Sequence, residues 1–250
     1  MKKITQVNAS ILIIGNEILS GRTKDTNTSS LALWLNTLGV KVEEVRVIPD
    51  VEEIIVDTIN KLRKRYKYVF TTGGIGPTHD DITAQSASKA FGLKYEPHKE
   101  AFKLLEKYYK PGEFNEGRQR MAWMPSNAKL ILNPTSGAPG FFVENVFCLP
   151  GVPSILHSML GGLKNEISGG QPIISKTINL KTVESEIAKS LTHVQENNRD
   201  VEIGSYPFFR AGKLGVAIVI RSEDQSKIND CSSQILEFVK EKNIEQLKDN

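Results

Sequence analysis

The chain has 250 residues, with 32 basic and 29 acidic side chains and a formal net charge of +3 at pH 7. Its 39% hydrophobic and 24% charged content is typical of a globular protein and excludes a disordered, collagen-like or coiled-coil chain. The small net charge gives no support for binding nucleic acid through the phosphate backbone. We therefore expect a soluble protein with a sizeable core.

The two cysteines, Cys148 and Cys231, have neither CxxC spacing nor clustered histidines around them, so they predict neither a zinc site nor a disulfide framework. No apolar stretch approaches the roughly 18 residues that span a bilayer. Polar residues interrupt the amino-terminal segment, where a signal peptide would be apolar. We expect a cytoplasmic protein that binds neither a membrane nor nucleic acid.

The first part of the chain alternates short β-type runs with helical periodicity, which is typical of parallel strands joined by crossover helices. The first helix shows apolar residues at 31, 34, 35 and 38, and the third is capped by Asp80 or Asp81 and ends at Gly92. The pattern predicts strands at 10–14, 41–48, 68–72, 141–143 and 146–149, and helices at 31–38, 54–62, 82–91, 99–109, 115–123 and 153–166. These elements predict an α/β fold, a three-layer α/β/α domain with a mostly parallel sheet.

A break at Gly169, Gly170 and Pro172 separates this part from a strand, helix, strand, strand, helix pattern that runs through Lys242. We predict a main domain at 1–170 and a small α+β domain at 171–250. The small domain has 11 basic against 12 acidic residues. Its Gly212-Lys213-Leu214-Gly215 run lies between two predicted strands, so we interpret it as a hairpin turn and not as an RNA-clamping GxxG loop.

The segment 71–81, Thr-Thr-Gly-Gly-Ile-Gly-Pro-Thr-His-Asp-Asp, connects a predicted strand to a predicted helix. Its glycines allow the backbone to approach an anion, and amides at a helix start can hold phosphate oxygens. The segment lacks the Lys-Ser/Thr of a Walker loop, and His79 stands at the third glycine of a Rossmann fingerprint. Adjacent carboxylates would repel a phosphate unless a divalent cation neutralised them, so the segment predicts Mg²⁺-type chemistry. The alternative is a tight turn with an aspartate helix cap.

Two further acidic side chains follow predicted strands. Glu17 comes after the first strand, within Gly15-Asn16-Glu17, and Asp50 ends the second. Because ligands of open parallel sheets bind at the carboxyl ends of the strands, Glu17, Asp50 and the Gly73 loop should converge there. Asp50 precedes a helix and is also a candidate cap. The loops 133–140 and 149–154, rich in proline and glycine, are able to expose backbone amides.

These residues resemble the molybdopterin-binding, MoaB/MogA-like domain family, in the branch that contains the competence/damage-inducible protein CinA and the amino end of eukaryotic FAD synthase. The similarity runs through residues 15–21, 27, 50, 72–83, 137–141 and 149–154, and it extends into the small domain at 183–188 and 204–207. The chain departs from the family pattern at Ile155, where many relatives have glutamate. It also ends without CinA's amidase domain, so deamidation of nicotinamide nucleotides is not expected.

The resemblance implies metal-dependent hydrolysis of a nucleotide pyrophosphate such as ADP-ribose or FAD. Molybdopterin binding or adenylyl transfer is one alternative, and a non-catalytic nucleotide-binding module is another. Asp50 and Asp81 match the family's functional aspartates, and we expect them to hold a divalent Mg, Mn or Co ion and to orient water. Asp80 and His79 are the candidates for proton transfer.

The predicted ligand is a nucleotide or a pterin, and we expect a homo-oligomer, either a dimer or a trimer. The amides of the loop glycines are assigned to one phosphate. The catalytic residues are Asp50, Asp80 and Asp81, and the substrate-binding residues are Gly15, Glu17, Asn27, Thr72, Gly73, Gly74, Gly76, Thr78, His79, Gly137, Ala138, Pro139 and Gly140.

Overall fold

A computed structural model describes residues 6–210 and 212–247. These residues form two compact units, the first ending at Gly170 and the second beginning at Gln171. The strands of the first unit are β1 (Val7–Ile14), β2 (Val40–Ile48), β3 (Tyr68–Thr72), β4 (Tyr95–Pro97), β5 (Trp123–Pro125), β6 (Lys129–Ile131), β7 (Gly140–Val143) and β8 (Val146–Leu149). Its helices are α1 (Asn16–Leu19), α2 (Asn27–Thr37), α3 (Glu52–Arg65), α4 (Thr83–Phe91), α5 (Lys99–Tyr108), α6 (Glu116–Arg120) and α7 (Pro153–Leu160), and a 3₁₀ turn at Gly161–Leu163 follows the last.

The first unit is built on a six-stranded sheet in the order β2-β1-β3-β8-β7-β6. The four strands β2, β1, β3 and β8 are parallel, whereas β7 and β6 pair antiparallel at one edge. The strands β4 and β5 form a separate antiparallel ribbon. The predicted fold class, an α/β domain with a mostly parallel sheet, is confirmed.

Helices cover both faces of this sheet, because the central strands carry apolar side chains on both sides. On one face α3, α4 and α5 bury residues such as Ile59, Ala87 and Leu105 against the sheet. On the other face α2 and α7 contribute Leu35 and Met159. Burial on two faces explains why β3 is buried at every position.

The second unit comprises β9 (Ile174–Leu180), α8 (Glu184–Asn197), β10 (Glu202–Arg210), β11 (Lys213–Ser222), α9 (Gln225–Glu241) and β12 (Gln246–Leu247). Its antiparallel sheet has the order β10-β11-β9-β12. Alternating β11 residues, Val216, Ile218 and Ile220, are buried in a core that includes residues of α8 and α9. Because β10 and β11 pair directly and Gly212 has φ +76°, the predicted hairpin turn is confirmed, although Ala211 lies outside the described residues.

Most predicted elements are present, and the differences lie at their ends. The helix predicted at 115–123 ends at Arg120, and Trp123 instead begins β5. The helix predicted at 153–166 gives way after Leu160 to the 3₁₀ turn. No helix within residues 6–210 and 212–247 is both long enough and apolar enough to cross a membrane.

Candidate functional site

The loops that follow β1 and β3 lie at the same edge of the sheet, where the parallel strands end. The Gly15 amide donates to the Ile48 carbonyl at 3.1 Å, at the end of β2. The Gly73 amide donates to the Leu149 carbonyl, also at 3.1 Å, at the end of β8. The structure therefore brings Gly15 and its neighbour Glu17, Asp50 and the glycine-rich loop to one edge, as the strand order predicts.

Two positions of this loop require glycine, both because their φ angles are positive and because neighbouring atoms leave no room for a Cβ. Gly73 has φ +99°, and a Cβ there would lie 2.2 Å from the Ile14 carbonyl oxygen. Gly74 has φ +67°, and a Cβ there would lie 2.2 Å from Thr83 Oγ1. Glycine adopts positive φ without steric cost, whereas a larger residue does not. The loop backbone is therefore packed directly on β1 and on the start of α4.

Thr83, the first residue of α4, fixes the loop to the helix. Its hydroxyl donates to the Gly73 carbonyl at 2.9 Å, and its amide donates to the Gly74 carbonyl at 2.9 Å. Thr83 is fully buried, so no water competes for these bonds. Sequence reasoning missed this residue, although a threonine at a helix start after a glycine-rich turn was the available signal.

The loop amides differ in their availability to a ligand. The sequence assigns the amides of Gly73, Gly74 and Gly76 to a phosphate, but the Gly73 amide is already bonded to Leu149. An N–H group has one hydrogen to donate, so the assignment of Gly73 is wrong. The amides of Gly74, Ile75 and Gly76 donate no hydrogen bond within the part of the chain that the structure describes. These three successive amides form the candidate anion site.

Asp81, at the carboxyl end of the loop, bonds back to Thr78. Its Oδ2 accepts hydrogen bonds from the Thr78 amide at 2.8 Å and from the Thr78 hydroxyl at 2.5 Å. The predicted helix cap is wrong, because the N-cap of α4 is Ile82 and no side chain caps it. A Cβ at Gly76 would lie 2.6 Å from the same oxygen. The carboxylate therefore organises the turn at residues 76–81.

Asp80 and His79, the candidates for proton transfer, are both exposed. The pKa of Asp80 is held below its usual value, chiefly by a hydrogen bond from the Thr78 hydroxyl and further by a backbone hydrogen bond. That hydroxyl has one hydrogen and donates to one of the two aspartates at a time, and the 2.5 Å contact places it on Asp81. In this arrangement the backbone hydrogen bond remains to support the ionised form of Asp80, which is the form that can accept a proton.

Asp50, at the end of β2, contacts the loop that follows β1. Its Oδ2 accepts a hydrogen bond from the Asn16 amide at 2.8 Å. It does not cap α3, whose N-cap is Val51, so the helix-cap alternative is wrong. No group of three or more His, Cys, Asp or Glu side chains in the described ranges is arranged to hold a metal ion.

Asn27, at the start of α2, ties the segment after β8 to the site. Its Nδ2 donates to the Gly151 carbonyl at 2.7 Å. A Cβ at Gly151 would lie 3.4 Å from the Gly73 Cα, so the two loops touch. Asn27 is 6% exposed, and its Oδ1 is buried with no hydrogen-bond partner within the described residues. We therefore place Asn27 behind the glycine-rich loop, as a support for it.

The loop 133–140 is organised by a buried asparagine that sequence reasoning did not single out. Asn133 donates to the Ala138 carbonyl at 2.9 Å and accepts from the amides of residues 135 and 136. Gly137 has φ +75°, and a Cβ there would lie 2.6 Å from the Tyr108 ring. Gly140 is buried inside β7, and a Cβ there would lie 2.6 Å from a carbonyl oxygen. Gly140 therefore has a packing role.

A small cavity of about 10 Å³ connects this loop to the glycine-rich loop. Pro139 lines it together with Gly76 and Asp81. Arg120 and Tyr95 line it from α6 and β4, and burial raises the pKa of Tyr95. The volume is that of about one water molecule. No sequence signal pointed to Arg120 or Tyr95, because each lies on a short element remote from the motif in sequence.

Glu17, Thr72 and Ile155 differ in what their side chains contact. The Glu17 carboxylate folds over Gly15, where a Cβ would lie 2.5 Å from Glu17 Oε1. Thr72, the last residue of β3, is 1% exposed, so its side chain belongs to the core. Ile155, where the resemblance implies a glutamate, packs against the apolar cluster that includes residues of α2 and α7. The apolar side chain therefore fits its surroundings.

Comparisons with known families and proteins match both units. A family model described as a probable molybdopterin-binding domain matches residues 10–168, and one described as the middle domain of FAD synthase matches residues 172–248. A protein of Archaeoglobus fulgidus is 33% identical over 233 residues, which cover 93% of this chain and 98% of that protein. A CinA-like protein of a Geobacter species is 39% identical over 160 residues, covering 62% of this chain and 39% of that protein.

A solved structure is also similar. The CinA protein of Thermoplasma acidophilum, described as having unknown function, aligns with a TM-score of 0.60 and 31% identity. The alignment covers 64% of this chain and 96% of that protein. The resemblance to the CinA-like branch of the MoaB/MogA-like family, which the loop motif predicts, is confirmed.

Proposed function

This chain belongs to the family of probable molybdopterin-binding domains, and we propose that its glycine-rich loop binds the phosphate of a molybdopterin-type pterin or of an adenine nucleotide. The observation that carries the proposal is the row of three amides, Gly74, Ile75 and Gly76, which have no partner within the described residues. Successive amides without partners in the described part of the protein can bind phosphate oxygens, and the start of the nine-residue helix α4 adds a favourable dipole.

The reaction we propose is adenylyl transfer to the bound pterin. A pterin phosphate oxygen attacks the α-phosphorus of a nucleoside triphosphate, the bond from that phosphorus to the bridging oxygen breaks, and pyrophosphate leaves. Charge develops on the oxygens around phosphorus, and amides fixed in place stabilise it without reorganising. The loop is fixed for this purpose by its packing on Ile14 and by the two bonds of Thr83.

A second candidate function is hydrolysis of a nucleotide pyrophosphate of the ADP-ribose or FAD type. The match of residues 172–248 to the middle domain of FAD synthase favours it. Water would attack one phosphorus of the anhydride, and the bond from that phosphorus to the bridging oxygen would break, giving two phosphate monoesters. The exposed, ionised Asp80 is the candidate to accept the proton of that water.

Either reaction suits a divalent ion, and the chemistry of Asp50 and Asp81 fits one. In each residue Oδ2 accepts from a backbone amide, and Oδ1 makes no hydrogen bond within the described part of the chain. Mg²⁺ is commonly bound by one or two carboxylates together with substrate phosphates. Asp50 and Asp81 would hold Mg, Mn or Co, and the ion would neutralise phosphate charge.

The proposal also covers the cellular location and the oligomeric state of the protein. A cytoplasmic location is supported by the two cysteines, which are both free and buried. Burial raises the pKa of the Cys148 thiol to about 12, so this thiol stays protonated near neutral pH. We also propose a homo-oligomer, a dimer or a trimer, as the state in which the ligand binds.

The test is an assay of the purified full-length chain with separated products. Pyrophosphate release from ATP that depends on added molybdopterin identifies adenylyl transfer, whereas AMP release from ADP-ribose or FAD identifies hydrolysis. Each substrate is assayed with and without Mg²⁺, Mn²⁺ or Co²⁺. Binding of every substrate without turnover would favour a non-catalytic nucleotide-binding module and contradict both reactions.

The matched variants are Asp81→Asn and Asp57→Asn. Asparagine at 81 keeps an oxygen that can accept from Thr78, so the turn is retained while the negative charge is lost. Asp57 is an exposed residue of α3 paired with Lys61, and its substitution removes the same charge elsewhere. We expect turnover to fall by about 100-fold or more in Asp81→Asn alone. Equal turnover in the two folded variants would remove Asp81 from the site.

A further inference from the structure

A second concave surface lies where β3 and β8 begin, opposite the strand ends that carry the glycine-rich loop. It is an open depression of about 550 Å³, in the range of small-molecule sites. Tyr68 at the start of β3, Phe147 in β8 and Phe142 in β7 line it. Because the glycine-rich loop follows the other end of β3, the two sites are separated by the length of a five-residue strand, about 16 Å.

Two lysines of this depression have no carboxylate partner. Lys67 Nζ lies 5.9 Å from the centre of the Tyr68 ring, and Lys129 Nζ lies 5.5 Å from the centre of the Phe142 ring. No carboxylate oxygen of the described residues lies within 4.0 Å of either ammonium. Lys89, by contrast, is paired with a glutamate at 2.5 Å. Lys67 and Lys129 are therefore available to an anion.

The other charged groups of the depression are mostly engaged within the protein. Arg63 contacts Glu144 at 3.4 Å, donates to Asn60 at 2.9 Å and stacks over Phe91. Glu166 is the remaining carboxylate of the lining. Arg63 and Glu144 balance each other, so the two unpaired lysines and Glu166 leave one net positive charge. An anion is therefore favoured over a cation in this depression.

The floor of the depression is aromatic. The Phe142 and Phe147 rings are stacked, with centres 4.9 Å apart, and Tyr68 packs against Phe147 at 6.0 Å. The Tyr68 hydroxyl both accepts from the Ser168 amide and donates to its carbonyl, so it offers a ligand no further donor. Only ring edges reach the surface, since Phe142 is 8%, Tyr68 6% and Phe147 1% exposed, so the floor adds limited apolar contact and the two lysines supply the charge.

We propose that this depression is a second ligand site, which takes a small phosphate ester of the size of a nucleoside monophosphate. The two ammonium groups bind the dianionic phosphate as point charges, and the rest of the ligand packs on the exposed Phe142 edge and on the lysine side-chain carbons. The site requires no residue of the glycine-rich loop, so it goes beyond the proposed function and does not depend on it.

The experiment is a titration of the isotope-labelled full-length chain with AMP, followed by amide NMR. We expect signals at residues 67, 68 and 129 to shift and to saturate. The Lys67→Met and Lys129→Met double variant keeps both apolar side-chain stems and removes both charges. It should raise the Kd from these signals by about tenfold or more, since tenfold is the least effect expected from losing even one charged contact. The matched control, Lys99→Met with Lys103→Met, removes two exposed charges from α5 and should leave the Kd unchanged.

The outcomes separate this site from the glycine-rich loop, since signals at 74–76 report the loop independently. Shifts at 74–76 alone would overturn the second site and leave the proposed function standing. Shifts at 67, 68 and 129 alone would support the second site while the loop assignment fails. Adenosine, which has no phosphate, should give no shift at a concentration where AMP saturates. Equal binding of adenosine, or an equal Kd in the two double variants, would overturn the proposal.

Discussion

Replacement of Gly73 by alanine tests whether the glycine-rich loop owes its shape to close backbone packing. Gly73 has φ +99°, and an added Cβ would lie 2.2 Å from the Ile14 carbonyl oxygen. Gly92 is a matched control, because it has φ +66° at the end of α4 and no atom within 4 Å of an added Cβ. Both substitutions strain the backbone, but Gly73→Ala alone creates a collision.

The expected magnitudes follow from these distances. Alanine at a positive φ costs about 1–2 kcal/mol, and Gly92→Ala should lose that much stability. A Cβ contact under 3.0 Å is essentially never observed, so at Gly73 the two atoms must separate by about 0.8 Å. Ile14 is 2% exposed and paired with β2, so the shift disturbs packed structure, at about 1–3 kcal/mol more.

Urea unfolding followed by tryptophan fluorescence measures the difference. Both tryptophans, Trp34 and Trp123, belong to the first unit, so the signal reports its unfolding free energy. The Gly73→Ala variant should lose about 1–3 kcal/mol more than Gly92→Ala, with an unchanged dependence on urea. If the two variants lose the same stability, the contact of Gly73 with Ile14 does not constrain the loop and the reasoning fails.

Two further predictions concern buried polar contacts. Tyr66→Phe removes a 2.6 Å bond to Glu44 and should cost about 1–2 kcal/mol at pH 7 in urea unfolding. That bond and Arg46 lower the pKa of Glu44 below its ordinary 4.5, so its stabilisation is present above about pH 4.5 and is lost as the pH falls through the folded value. The difference between wild type and variant should therefore shrink at pH 3, and a constant difference would contradict the assignment. Asn133→Ala should cost about 2–3 kcal/mol, because it leaves the Ala138 carbonyl without its 2.9 Å donor, and an unchanged midpoint would show that the loop holds its shape without this residue.

The sequence pattern predicts the central strands well because they are continuous runs of buried apolar and β-branched residues. Strand β3 occupies the residues expected, Tyr68–Thr72, since a run of apolar and β-branched residues between a charged helix end and a glycine leaves no alternative. The end of α4 at Gly92 is also as expected, with the left-handed φ of +66° that glycine supplies. Elements defined by local composition are thus recovered with nearly correct ends.

The site is predicted less completely because its hydrogen bonds join residues far apart in the chain. The Gly73 amide is taken by Leu149, and the Asp50 carboxylate by the Asn16 amide. No local sequence pattern predicts either contact, because each contact depends on the order of the strands in the sheet. From sequence, an aspartate that precedes a helix is predicted to cap that helix. In the structure Asp50 instead accepts a hydrogen bond from the Asn16 amide, just after β1.

These contacts change how two carboxylates coexist with a phosphate site. From sequence alone, the adjacent carboxylates Asp80 and Asp81 would repel a phosphate unless a cation were bound. In the structure Asp50 and Asp81 each accept a hydrogen bond from a backbone amide, that of Asn16 and that of Thr78 respectively. An amide hydrogen bond orients a carboxylate and lowers the cost of its charge, yet it leaves that charge in place. Backbone contacts therefore hold each carboxylate in position, and the demand for positive charge arises when the phosphate arrives. A metal, on this reasoning, should bind more tightly with the phosphorylated ligand than without it.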